Sequence, residues 1–322
     1  MKRLAVTVSF LLAGVPGLSA SNLDLRVESA GQVTLKVGPG ASVPYDVVGE
    51  LSDNLNEGLA MFSLDLAFSG GPLAPASPPA TGPMLSFDKP AGLTNPAGFG
   101  GTPSAGVLRQ VGGAQNTIDN AFAPYPSGAV VTGVAQSGSP VALVSGSLTT
   151  PYHVGTFTLS PGDFLANAIR QGETGTDFWR VDPVGLGAVT PLNVTVEALA
   201  PAAPTVIVGQ TVALLIDAGP ANAGRRFRLL GSITPGPPSP RLLVPLRPDL
   251  YYQYTVANPN SPILQNSSGF LDAQGRATAL FTPDASFPFA GATAFHAFYV
   301  NGLTIFVSNA ASVQVTSPLV RK

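Results

Sequence analysis

Asp53, Asn54, Asn56 and Glu57 stand almost side by side in the stretch ELSDNLNEG, Glu50 to Gly58. Clustered oxygen donors of this kind are what a calcium ion asks for, since it takes about six to eight oxygens, several from carboxylates. Four are offered here. Leu55, however, occupies the third position of the D-x-[DN]-x-[DN]-G loop pattern. The same residues read as an Asx-type turn ending at Gly58, ahead of a strand starting near Leu59, and the broken spacing favours the turn. A structural calcium is the one cofactor the sequence leaves open.

The other reactive residue types are sparse. The chain has two histidines, His153 and His296, and no cysteine. That removes disulfides, thiolate metal sites and a cysteine nucleophile. The histidines lie far apart, beside GTFTL and inside AFHAFYV, and each reads as a partly buried or strand-edge residue. No H-E-x-x-H, G-x-S-x-G, G-x-G-x-x-G or Gly-Lys-Ser/Thr phosphate loop occurs. A glycosidase needs only two carboxylates at a set separation, but acids such as Asp53, Asp65 and Asp272 read as turn or exposed-strand residues. The chain is therefore expected not to be an enzyme. For ligand binding the candidates are aromatic: Trp179, the single tryptophan, beside Phe178, and Tyr251 and Tyr252 in LYYQYTV. Aromatic faces stack on sugars, although packing is their commoner use.

The elements that must position these residues are strands. In MFSLDLAF, Phe62, Leu64, Leu66 and Phe68 alternate with Met61, Ser63, Asp65 and Ala67, the period of a strand with one buried face. LDLRV and QVTLKV flank ESAG, which reads as a hairpin. SVPYDVVGEL, GVLRQV, PVALVSGSL, HVGTFTL and PLNVTVEAL continue the pattern. After residue 200 come TVALLIDAG, RRFRLLGSI, RLLVPL, LYYQYTV, AFHAFYVNG and LTIFVSNAASVQVT. GFLDAQGRATALFT reads as a hairpin turned by Asp272 to Gly275. One helix is expected, in SPGDFLANAIRQG, where Ser160 suits the N-cap, Pro161 the first helical position, and Gly172 lies past the end. Residues 70–106, with eight glycines and eight prolines, form a long connection.

Composition agrees with this reading. Of 322 residues 45% are hydrophobic and 11% charged, with Gly 36 and Pro 32, a mixture suited to short strands and tight turns. Residues 1–20, MKRLAVTVSFLLAGVPGLSA, have the basic start, apolar run and small-residue end of a secretory signal peptide. Cleaved there, the chain has no further run long enough to span a membrane as a helix. Residues 21–198 hold 14 acidic and 6 basic residues (net −8), and residues 199–322 hold 4 and 8 (net +4). The change falls at the Ala/Pro stretch near residue 200, taken as a domain boundary. The opposite signs would let the halves dock, and fit two independent modules equally well. Without its leader the chain carries net −4, 14 basic against 18 acidic residues, and no basic-aromatic stripe, so no nucleic-acid partner is expected.

Residues 21–198 resemble a cohesin-type β-sandwich, and share the pattern of the related cellulose-binding sandwich modules. The resemblance lies in VGPGASVPYDVVGELSD, GLAMFSLDLAFSGGPL and VALVSGSLTTPYHVGTFTL. Residues 203–316 resemble a C-terminal β-module of secreted proteins of environmental bacteria, through DAGPANAGRRFRLLGS, VPLRPDLYYQYT, NPNSP and GFLDAQGRATALF. That module has no activity to carry over. Cohesins bind dockerins, small calcium-loaded helical modules, through one sandwich face, so the resemblance implies a dockerin-like protein partner. The expectation is thus an all-β chain of two β-sandwich domains (jelly-roll or immunoglobulin-like), 21–198 and 199–322. It would be a secreted or cell-surface bacterial protein engaging an extracellular protein, with a carbohydrate-binding module for polysaccharide and a structural envelope or matrix protein as alternatives.

Overall fold

The computed structural model describes residues 21–77, 87–88, 100–115, 133–172, 181–234, 236, 243–284 and 289–317. The leader, Phe178 and Trp179 lie outside them, as does most of the 70–106 connection.

The first half is built from β1 (Asn22–Glu28), β2 (Thr34–Val37), β3 (Ser42–Leu51), β4 (Asn56–Phe68), β5 (Phe87–Asp88), β6 (Thr102–Ser104), β7 (Val107–Gln115), β8 (Val141–Thr149), β9 (Gly155–Arg170), β10 (Val181–Thr190) and β11 (Leu192–Val196). On one side β7, β4 and β9 lie antiparallel, and β9 also pairs with β11 over Gly155–Leu159 and with β10 over Ala166–Ile169. On the other, β3 lies between β1 and β8. β10 runs parallel to β1 and joins the two groups. Between them sits a core drawn from Leu23 to Val196, into which Phe62, Leu64, Leu66 and Phe68 point, as their alternation requires.

The second half contains β12 (Leu199–Pro201), β13 (Thr205–Ile207), β14 (Val212–Asp217), β15 (Arg226–Ser232), α1 (Leu250–Ala257), β16 (Leu264–Gln265), β17 (Ser268–Phe270), β18 (Arg276–Phe281), β19 (Thr293–Val300), β20 (Phe306–Val307) and β21 (Ala311–Thr316). The sheet β12-β14-β18-β16 packs on the sheet β13-β21-β19-β15-β17 over a second core, drawn from Ala198 to Val315. The chain is all-β, built as β-sandwiches.

Several local expectations are corrected. The helix expected from Ser160 to Arg170 is part of strand β9. Leu159 and Pro161, then Ala166 and Ala168, face inward in steps of two on either side of an irregularity at Asp163, which has φ 41°. Ladders on both edges of this segment outweigh its helix-capping chemistry, since tertiary context overrides local propensity. On one edge Pro161 falls between the stretches paired with β11 and with β10, where no ladder needs its missing N–H, while on the other edge it lies opposite Leu66 of β4.

Conversely LYYQYTV is not a strand but α1. Asp249 caps it, accepting a hydrogen bond from Tyr252 N at 2.9 Å, and Tyr251 and Thr255, four residues apart, turn inward. RLLVPL forms no strand over its described residues 243–246 either; Val244 and Leu246 are buried in a small satellite cluster with Leu230 and Ala297. ESAG closes only the bridge Ser29–Gln32, and β1 and β2 part to different neighbours. Asp272 does turn the chain, its Oδ1 accepting from Gln274 N and Arg276 N at 2.8 Å. The flanking β17 and β18 nevertheless enter opposite sheets.

The halves meet through backbone rather than charge. Across the boundary, Ala198 N donates to Asn309 Oδ1 at 2.8 Å and Ala198 O accepts from Asp217 N at 2.7 Å. The Gly38–Gly40 turn lies against Asp217–Gly219, so closely that a Cβ on Gly219 would sit 2.5 Å from Pro39 O. Among the described residues no ion pair crosses between the halves. The expected docking by opposite net charge does not take that form.

Candidate functional site

The acidic turn is a set of tethers between strand ends. Ser21 Oγ donates to Asp53 Oδ1 and to Asn56 Oδ1 (2.7 Å), and Leu55 N donates to Asp53 Oδ1 at 3.0 Å. This is the Asx turn expected from the sequence. Asn56 is buried, and its Nδ2 donates to Asp182 Oδ2 at 3.2 Å. Asp182 also receives the Arg170 fork, which holds its carboxyl below the ordinary carboxylate range. Glu57 Oε1 accepts from Gly172 N at 2.7 Å, and Asn54 faces solvent. Asp53 and Asn56 thus converge on Ser21 Oγ, while Glu57 reaches Gly172 and Asn54 faces solvent, so the four candidate calcium ligands do not gather around one point. Among the described residues no three acids or histidines are placed to share a metal.

The aromatic candidates also separate. Tyr251 is a correction: it is fully buried, with its hydroxyl 3.0 Å from His296 Nε2 and its ring edge-on to Phe289 at 4.9 Å. No ligand can stack on it there. Burial raises its pKa well above 10. His296 is wholly buried rather than partly so, and desolvation lowers its pKa to about 3, so it is neutral. Tyr252 is half-buried and packs on the satellite cluster of Leu230 and Ala297.

What the residue types alone did not single out is the outer face of β9, β4 and β7. Leu165 stands 60% exposed on β9. Beside it, Ser63, Asp65, Thr102, Ser104, Arg109, Gln110 and Asp163 line a shallow concavity of about 710 Å³. Asp65 is not an exposed-strand residue as its alternation suggested; it is 8% exposed. Its Oδ2 accepts from Arg109 Nη1 at 2.7 Å and its Oδ1 from Gln110 N at 2.9 Å. Asp163 approaches the same Arg109 nitrogen at 3.7 Å.

Three strands make this geometry. The β4–β7 and β4–β9 ladders both slip in register beside Asp65. Gln110 and Asp163 take left-handed backbone there, φ 56° and 41°, a conformation uncommon for side chains other than Gly, Asn and Asp. These irregularities aim a guanidinium, a carboxylate and an isobutyl group out of one face. The available signal was Asp65, a charge set inside an otherwise apolar strand.

No protein-family model matches the chain, and no curated protein matches it. Solved structures do. The seventh ScaB type I cohesin from Pseudobacteroides cellulosolvens aligns at TM-score 0.36 and 8% identity, over 56% of this chain and 96% of that one. The sixth cohesin of Acetivibrio cellulolyticus scaffoldin B, in complex with a Cel5 dockerin, aligns at 0.32 and 15%, over 55% and 99%. BcpA, the major pilin subunit of Bacillus cereus, aligns at 0.28 and 8%, over 92% and 69%. The chain is similar to these; its sandwich architecture is read from the strand pairings above.

Proposed function

We propose that this is a secreted, non-catalytic binding protein of two domains, 21–198 and 199–322, whose first sandwich engages an extracellular protein. The contact surface would be the outer face of β9, β4 and β7. The observation that carries this reading is the exposed Leu165 in the same concavity as the Arg109–Asp163 pair, on β9, which is paired along both edges. Interfaces combine an apolar centre with polar groups around it, and arginine is enriched among residues that dominate affinity. Arg109 is held in advance by the buried carboxylate of Asp65, so ordering it costs little on association. The cohesin resemblance supplies the kind of partner, a dockerin-like module. The carbohydrate reading loses Tyr251 to the core.

The test immobilises the whole chain and challenges it with its host's secreted proteins, with calcium or with chelator. Leu165→Asp and Arg109→Glu variants run in parallel. A protein retained by the parent and lost by both variants supports the reading. Retention unchanged by both variants overturns it.

A further inference from the structure

A second concavity lies where the halves meet. It holds about 410 Å³ and is lined by Tyr152 and His153 from the first half, with Asn222, Arg225, Ile305 and Phe306 among the residues from the second. That volume falls within the range of roughly 300–1,000 Å³ typical of ligand sites. Its walls are chiefly aromatic and aliphatic. Tyr152 and Ile305 are about half-exposed, and Phe306 forms part of the second core. The Tyr152 ring lies over Gly40, where any Cβ would collide with it, so its position depends on that glycine.

Arg225 is the only Lys, Arg, Asp or Glu side chain in this lining. It is half-buried. The ion pairs among the described residues use Arg26, Lys36, Arg109, Arg170 and Arg276, and Arg225 enters none. Its side chain makes a single hydrogen bond, from Nη1 to Asn222 Oδ1 at 3.2 Å. That leaves a forked cation, suited to bidentate contact with a carboxylate, without a counter-ion in a largely apolar groove. Gly302 permits the arrangement, since a Cβ there would stand 2.7 Å from Arg225 Nη1.

We propose that this groove binds the free carboxyl end of a peptide with apolar terminal side chains, Arg225 receiving the carboxylate. The body of the ligand follows from the scarcity of polar partners. Asn222 already donates to Ala218 O and accepts from Arg225, while Phe306, Ile305 and Val307 offer only apolar surface. Tyr152, His153 and Thr304 offer a few polar ends at the groove, but a sugar acid would also lay hydroxyls against Ala221, Ile305, Phe306 and Val307, where they stay unpaired at a cost in affinity.

The test uses the full chain and isothermal titration with N-acetyl-trileucine as free acid, the same peptide as its C-terminal amide, and glucuronate. Free acid should bind about tenfold to a hundredfold more tightly than amide, the range expected for a charge-assisted pair. Arg225→Gln should bring the free acid down to the level of the amide while the melting temperature holds. Gly302→Ala, which displaces the guanidinium without removing it, should weaken the free acid in the same direction. Equal affinity for acid and amide, no saturable binding of the free acid, or full binding by Arg225→Gln would each overturn the proposal. Glucuronate binding as tightly as the peptide would overturn the assignment of an apolar body.

Discussion

Among the described residues each sandwich buries one tyrosine completely, and the two are treated differently. Tyr45 on β3 lies across the ladder from Gly146 of β8, whose added Cβ would come 2.5 Å from its hydroxyl. Tyr251 on α1 covers Gly231 of β15 in the same manner. In both, a glycine in a strand makes room for a ring. The hydroxyls differ. Tyr251 meets His296 Nε2, whereas Tyr45 Oη has no partner among the described residues. Burial pushes the Tyr45 phenol up to about 12. A buried polar group without a partner is a net loss, and a paired one is close to neutral or favourable. The first sandwich leaves its buried tyrosine hydroxyl unpaired and gathers its paired buried polar groups, Ser21, Asn56 and Asp65, away from that ring, at strand ends and on the β4 outer face. The second places a polar network inside.

The largest expected effect separating the two comes from acid. His296 titrates at about 3 when folded and near 6.5 when unfolded. The unfolded chain takes up a proton below about pH 6.5 that the folded chain refuses until pH 3. Stability from this residue is complete above pH 6.5 and is withdrawn as pH falls, by about 2–3 kcal/mol between pH 6.5 and 4.5. Amide hydrogen exchange should show β19 losing protection over that window before β4 does, and His296→Gln should flatten the response. The depressed Asp182 carboxyl in the first sandwich acts lower: its contribution is lost only as pH drops below the ordinary carboxylate range.

A similar loss is expected for Asp249→Ala. This carboxylate caps α1 and also accepts from Ser232 Oγ, Ile233 N and Thr234 N. Removing it should lower stability by about 2 kcal/mol in urea unfolding. The tyrosines give the sharpest contrast. Tyr251→Phe leaves His296 with neither ring nitrogen bonded, since Nδ1 already lacks a partner, and should cost about 1–3 kcal/mol. Tyr45→Phe removes an unpaired hydroxyl and should be neutral or stabilising; an equal loss at both sites would break the comparison. On the surface, Leu165→Asp should change stability by no more than about 0.5 kcal/mol. Calcium, finally, should leave the melting temperature where chelator leaves it, because Asp53 Oδ1, Asn56 Oδ1 and Glu57 Oε1 are turned to separate tethers, Ser21 and Leu55 for the first two and Gly172 for the third.

Much of the fold was legible because strand burial has a period of two. Phe62 to Phe68 declared their inward face without help from any other segment, and Asp272 its turn. The misreadings share a cause. Ser160–Arg170 carries helix-capping residues and LYYQYTV carries β-prone aromatics, so local preference pointed the wrong way in both. Which state wins depends on partners distant in sequence: β4, β10 and β11 for one, the Ser232–Thr234 backbone around Asp249 for the other. The candidate face was legible only as a charge, Asp65, within an apolar strand. Its partner Arg109 lies 44 residues away, and no spacing rule joins them.

The sequence by itself determined the class of molecule: an all-β chain without cysteine, few charges, two opposite charge balances and strands whose inward residues alternate. Those are properties of composition and of neighbours one or two residues apart, and they survive without knowing how the chain turns back on itself. Tertiary structure alone decided which polar groups are hidden, which strands share a sheet, and that Arg109 has a carboxylate while Arg225 has none. Burial and ion pairing belong to surfaces brought together across tens to more than a hundred residues, so no local pattern encodes them.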